Sequence, residues 1–162
     1  MVILGIDPGS KRVGYGLILS GKNFKLLDYG VLETKGEPAK SILEISKKVS
    51  KLLNKYKPGL AGIEKIYFSK NIKTGIAVAQ TRGALMLEIA KRGIPIKELG
   101  PNEIKLAVTG YGFADKKAVS KMVAKILNLN NITGYDDASD ALATAITAAI
   151  KRPDTGVDKL FR

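Results

Sequence analysis

The sequence predicts an α/β fold, a five-stranded mixed sheet flanked by helices. Short β-favouring apolar runs alternate with longer segments whose apolar residues recur every three to four positions, the pattern of strands alternating with covering helices. The first three runs have only turn-forming residues between them, which predicts an antiparallel meander ahead of that alternation. The chain of 162 residues is about one domain in size and long enough to bury a substantial core. We expect a single domain over residues 1–152 and a polar tail over 153–162.

The elements follow in order. Residues 2–6 are a continuous β-favouring run that stops at the turn Asp7-Pro8-Gly9-Ser10. Residues 13–19 and 26–33 predict two further strands, separated by Ser20-Gly21-Lys22-Asn23. Over 38–56 the period changes: Ile42, Ile45, Val49, Leu52 and Tyr56 recur at helical spacing, with Lys47, Lys48, Lys51 and Lys55 mostly off that stripe. Lys57-Pro58-Gly59 ends this amphipathic helix. Residues 60–63 are a second buried run, and it too ends in an acid, Glu64. Residues 74–91 predict a helix that is apolar or small on most sides (Ile76, Ala79, Gly83, Leu85, Met86, Ile89), hence buried or in an interface. A fifth strand is expected at 94–99 and a short helix from Pro101 to near Gly110. Val119, Met122, Val123 and Ile126 mark another helix. The last helix is expected over about 136–151, with Asp136 or Asp137 at the positive end of its dipole.

Composition narrows the chemistry. There is no Cys and no His, which excludes a disulfide framework, a thiol nucleophile, an imidazole base and a Cys- or His-ligated metal. Lys+Arg number 27 against 15 Asp+Glu, a net charge of +12. A charge that large on a small domain attracts polyanions, nucleic acid before anionic membrane. The opening Met1-Val2-Ile3-Leu4 does not read as a signal peptide, and no apolar run approaches the ~20 residues that span a bilayer. A cytoplasmic protein with no membrane partner is expected.

Four acids stand out by position. Asp7 and Glu64 each end an apolar run, where an ionised carboxylate is costly to bury unless something pairs with it. Asp137 and Asp140 are three apart on the last helix and share a face, beside a small apolar stripe (Ala138, Ala141, Leu142, Ala145, Ala149) that would let the helix approach the sheet closely. Singly, each acid is explained by a strand end or a helix dipole. Together they would repel, by roughly 4 kcal/mol for charges ~4 Å apart at an effective dielectric of 20, and would need a cation. With oxygen ligands alone, Mg²⁺ or Mn²⁺ suits such a site better than zinc. Carboxylate sites of this kind hold one or two ions and drive phosphodiester displacement.

The residues also carry a resemblance. Gly5-Ile6-Asp7-Pro8-Gly9-Ser10 with Gly14-Tyr15-Gly16, then Ile63-Glu64, Ser69-Lys70-Asn71, Ala79-Gln80-Thr81-Arg82-Gly83 and Asp136-Asp137-Ala138-Ser139-Asp140-Ala141-Leu142-Ala143 closely resemble the RuvC family of Holliday junction resolvases, in order, over about residues 2–150. The resemblance implies a ribonuclease H-like fold, a homodimer, Mg²⁺-dependent symmetric nicking of four-way DNA junctions, ligatable ends, and the RuvA–RuvB branch-migration motor as partner. It implies Asp7, Glu64, Asp137 and Asp140 as catalytic metal ligands; some members carry His where this chain has Asp137. Tyr67 matches a family aromatic, often Phe, that stacks at the junction centre, and stacking is sequence-tolerant. Lys105 and Lys116 match basic positions near the family site, and Lys70 and Arg82 lie in matching blocks, so these join Tyr67 as expected DNA contacts. The helix at 74–91 is the candidate dimer interface, with Leu85 and Met86 as its probes. Three other readings fit less of the pattern. A ribonuclease H-like RNA-processing nuclease of the YqgF type would share the Asp-x-Gly turn and late acids but lack the Ile66–Asn71 and Gln80–Gly83 blocks. A sugar kinase–actin–chaperone ATPase would need two lobes. A non-catalytic nucleic-acid binder leaves the four acids unexplained.

Overall fold

The computed structural model describes residues 1–67 and 72–151. Phe68, Ser69, Lys70 and Asn71, and the tail expected at 153–162, lie outside the described residues. The order is β1 (Val2–Asp7), β2 (Arg12–Leu19), β3 (Lys25–Glu33), α1 (Pro38–Tyr56), β4 (Leu60–Glu64), α2 (Ile72–Ala90), β5 (Ile96–Leu99), α3 (Pro101–Thr109), α4 (Lys116–Ile126) and α5 (Asp136–Ile150). The strands form one sheet in the order β3-β2-β1-β4-β5. The meander β1–β2–β3 is antiparallel, whereas β4 runs parallel to both β1 and β5. The five-stranded mixed sheet is therefore as the sequence predicts.

Strand alternation sends successive side chains to opposite faces and so makes two cores. Leu4, Ile6, Val13, Leu17, Ala61 and Ile63 pack under α1 and α2. Ile3, Ile18, Leu60 and Leu99 pack under α3, α4 and α5. In α1 the buried line is Ile45, Val49 and Leu53, so the predicted stripe through Leu52 and Tyr56 is rotated by about one position. The fifth strand is shorter than expected: Pro95 has no N–H to donate and contributes only its carbonyl, to Ala61 N at 3.0 Å, so the strand begins at Ile96.

α5 is the central helix. From Ala138 to Ala148 every residue but Asp140 is buried, as a helix between a sheet and further helices must be. Its closeness to the sheet comes from both sides. The helix contributes the alanines. The sheet contributes glycines on three neighbouring strands, with Gly5 paired across to Gly16 and to Gly62, and Gly14 opposite Asp7. A methyl group on Gly5 would stand 2.0 Å from the carbonyl oxygen of Ala141, and one on Gly14 would stand 1.9 Å from that of Asp137. This bare strip brings the acids of α5 down beside the strand ends.

Helix α2 divides differently from the expectation. Thr81, Leu85 and Ile89 are its buried line, so Leu85 is a core residue and not a surface probe. The outward face carries Ile72, Ile76 and Leu87, all more than half exposed.

Candidate active site

Asp7 and Glu64 end neighbouring parallel strands one step beyond the paired Ile6 and Ile63, so both point to the α5 face. The carboxyl ends of parallel strands are where open α/β sheets form binding crevices. α5 lays Asp140 against them. These three acids line one pocket of about 310 Å³, walled by Ile104 and Lys105 of α3 and by Lys116 and Val119 of α4.

The electrostatics follow from burial. Desolvation pushes the Asp7 carboxyl up to about 8, with Glu64, Asp140 and Asp137 adding repulsion and Lys116 opposing. Desolvation likewise pushes Glu64 up to about 7, with Asp140 adding and Lys116 and Lys105 opposing. Asp140 is raised by burial and partly relieved by Lys116, whose ammonium donates to it at 3.3 Å. The same pairing, chiefly through Asp140, raises the Lys116 ammonium.

Asp137 is brought near but not into this pocket. It raises Asp7 from a distance, and its own carboxylate faces Arg12 at 3.8 Å. The Arg12 guanidinium lies over the Tyr135 ring, 4.8 Å from the centroid. The four acids therefore converge on one end of the sheet, three within the pocket and one at its rim. Among the described residues no three acids are arranged to enclose an ion as they stand; Lys116 holds Asp140 and Arg12 holds Asp137. The donor set still suits a hard divalent cation. It offers oxygen only, it is mostly desolvated, and its three pocket acids repel with only Lys105 and Lys116 as counter-charge.

The other expected contacts separate. Lys105 and Lys116 line the acid pocket. Arg82 does not: its Nε donates to the Glu64 carbonyl at 3.1 Å and its terminal nitrogen pairs with Glu98, clamping the strand end that presents Glu64. Tyr67 is 65% exposed and shares a shallow pocket with Lys65, Arg82 and Glu98. Sequence reasoning missed Arg12, although Lys11-Arg12 directly follows the Asp7 turn. It also missed the glycine strip, whose signal is the alternation Gly14-x-Gly16. Tyr111 and Phe113 escaped it as well: these exposed rings, 5.9 Å apart, sit on the loop between two pocket helices.

Known proteins share this chain's sequence pattern and fold. Residues 3–148 match the family model described as crossover junction endodeoxyribonuclease RuvC. The enzyme of that name from Petrotoga mobilis is 46% identical over 148 residues, covering 90% of this chain and 91% of its own. The one from Syntrophomonas wolfei is 44% identical over 149 residues, covering 90% and 87%. The solved structure of Thermus thermophilus RuvC in complex with a Holliday junction substrate superposes with a TM-score of 0.85 at 30% identity, covering 91% of this chain and 92% of its own. The yeast mitochondrial Holliday junction resolvase Ydc2, at 15% identity and a TM-score of 0.55, shares the fold. The sheet order, the central helix and these matches make the fold ribonuclease H-like, and the chain belongs to the RuvC family of crossover junction endodeoxyribonucleases.

Proposed function

We propose that this chain is a Holliday junction resolvase, an endonuclease that nicks opposing strands of a four-way DNA junction during recombination and repair. The observation that carries the proposal is the meeting of Asp7, Glu64 and Asp140 in one lysine-walled pocket of a chain whose net charge is +12. The family's RNA-processing counterpart of the YqgF type is not favoured by any relative or by the junction-bound neighbour.

Asp7, Glu64 and Asp140 would hold Mg²⁺, with Mn²⁺ able to substitute, as one or two ions per subunit; Asp137 would join once released from Arg12. The ion would supply charge stabilisation at the phosphate and lower the pKa of attacking water. The protein's own groups do the rest. Burial favours the protonated acids, so a bound cation would take the place of those protons, in a site where water competes weakly and each cation contact is strong. Lys105 and Lys116 stand beside them and draw a phosphodiester that the acids alone would repel. Arg82 fixes the Glu64 backbone. Tyr67, and Lys70 outside the described residues, would meet the opened junction strands, Tyr67 by stacking on a base. Water attack at phosphorus with departure of the 3′ oxygen leaves a 5′-phosphate and a 3′-hydroxyl, the ends a ligase joins.

Two sites must act on one junction. The apolar face of α2 (Ile72, Ile76, Leu87) is the surface for a second copy, and a two-fold dimer places one pocket on each of two symmetry-related strands. We place the protein in the cytoplasm, working with the RuvA–RuvB motor.

The test is incubation with a four-way junction, a plain duplex and single strands, in Mg²⁺ or in EDTA. Paired symmetric nicks on the junction alone, absent in EDTA and absent for Asp7→Asn, are the expected result. Metal-independent cutting, or preference for precursor RNA, would overturn the proposal.

A further inference from the structure

The face of α4 beyond the acid pocket is the strongest unexplained feature. Lys117, Lys121 and Lys125 stand four residues apart and so form one row along the helix. The row walls a groove of about 810 Å³ together with Asn130 and Asn131, and Lys116 is common to this groove and to the acid pocket. The two depressions are thus continuous at one side chain. Asp136 is the one carboxylate in the groove.

The pattern has no internal reason. The opposite face of α4 buries Val119 and Val123, and Asp115 caps its start by accepting from Ala118 N at 2.7 Å. Neither job needs lysine on the outer face. Some lysines on or beside other helices pair with acids one turn away, as Lys48 does with Glu44 and Lys91 with Glu88. Among the described residues no carboxylate lies at ion-pair distance from Lys117, Lys121 or Lys125. Three like charges at this spacing repel one another and weaken the helix. A polyanion laid along the row removes that repulsion.

We infer that the α4 row is a phosphate track: it grips the backbone of one duplex arm of the junction and leads the strand over Lys116 to the acids. The row is about 12 Å long, the length of three or four phosphates along one strand of B-DNA. Asn130 and Asn131 supply amide donors at its far side. The inference rests on the proposed junction substrate and deepens it, by assigning a place for the arm outside the cutting site. It also answers an electrostatic difficulty, since clustered carboxylates repel the very strand to be cut.

Counterion release gives the test. Each lysine–phosphate contact contributes about 0.9 to the slope of log affinity against log salt. The full-length triple variant Lys117→Ala/Lys121→Ala/Lys125→Ala is compared with wild type for binding to a four-way junction and to a plain duplex, between about 50 and 200 mM salt (about a fourfold window around physiological screening). We expect the slope to become shallower by about 2–3 for both DNAs, with affinity on the order of 10²-fold lower at ~0.1 M salt. A charge-matched triple on the other side of the sheet, Lys40→Ala/Lys47→Ala/Lys51→Ala on α1, should leave slope and affinity as in wild type. An unchanged slope in the α4 variant overturns the inference, and so does an equal loss in the α1 variant, which would make the effect net charge alone. If wild type makes no metal-dependent nicks in junctions, the proposed function fails; the track is still judged by the duplex measurements. Circular dichroism checks folding, which these exposed positions should not disturb.

Discussion

Replacing Gly5 by alanine tests the close approach on which the site depends. A Cβ at residue 5 would lie 2.0 Å from Ala141 O and 2.4 Å from Ala145 N, where ordinary contact begins at 3.4 Å. Both neighbours are main chain, so no rotamer change removes the clash. The strand or α5 has to retreat by about 1 Å or more. Overpacking of this kind costs about 1–3 kcal/mol, and a backbone clash belongs at or above the upper end. Asp140 is the residue before Ala141, so the same retreat displaces its carboxylate relative to Asp7 and Glu64. A misplacement of about 1 Å can cost 10²-fold in rate, equivalent to about 2.7 kcal/mol on the barrier. The assay pairs urea unfolding with single-turnover nicking of a four-way junction at a temperature where the variant is folded. Gly21→Ala is the control: its Cβ would meet only Asn23 O at an ordinary 3.7 Å, and stability should change by less than about 0.5 kcal/mol. If Gly5→Ala unfolds at the wild-type urea midpoint and nicks within twofold of wild type, the glycine strip does not set the position of the acids.

Three further outcomes are expected. Asp7→Asn should abolish nicking yet stabilise the metal-free protein at alkaline pH. The folded state keeps a proton on Asp7 up to about pH 8, whereas the unfolded chain loses it near 3.8, so wild-type stability in EDTA falls as pH rises through that window and the asparagine variant escapes the fall. The difference at pH 9 is on the order of a few kcal/mol, read by thermal unfolding, and a wild-type stability that is flat from pH 5 to 9 would refute it. Asp137→Asn should be the mildest of the four neutralisations in junction nicking, because Asp137 lies outside the pocket beside Arg12; a loss equal to that of Asp7→Asn would place it at the metal. Ile76→Glu or Leu87→Glu should yield a folded monomer by sedimentation, whereas Leu85→Glu should unfold the chain, and a dimer that survives charge at both 76 and 87 would rule out the α2 face as its interface.

What could be read from the sequence was whatever is local. The β-favouring run into Asp7-Pro8-Gly9 announces a strand end, and the three- to four-residue spacing over 38–56 announces α1 with its observed boundaries. The alanine stripe on α5 correctly implied close packing. Non-local terms decided the rest. The receiving glycines lie on three strands, and their role is visible only when Gly5, Gly16 and Gly62 pair side by side. Composition alone could not divide α2, since Leu85 and Leu87 are the same residue type on opposite faces. Arg82 looked like a DNA contact because it is a cation in a motif, but Glu98 and the Glu64 carbonyl, both distant in sequence from it, claim its guanidinium. The α4 lysines gain a meaning only through the groove that joins them to Lys116, which is not visible in the chain order.

The local rules that this fold breaks are concentrated at one end of the sheet. Glycines are poor strand formers, yet β1, β2 and β4 all carry them under α5. Buried carboxylates normally find a hydrogen-bonded cation, yet burial and mutual repulsion raise Asp7 and Glu64, while Lys116 spends its contact on Asp140. Either departure alone would be a defect. Together they have one consequence: the glycines remove the side chains that would hold α5 away, and the approach of α5 forces the acids into a shared, mostly desolvated pocket. Burial first, and repulsion after it, disfavour the ionised acids, and a divalent cation bound there would offset both. Affinity for the ion and instability without it then share one source, and a substitution that relaxes the pocket should stabilise the metal-free chain while weakening metal binding.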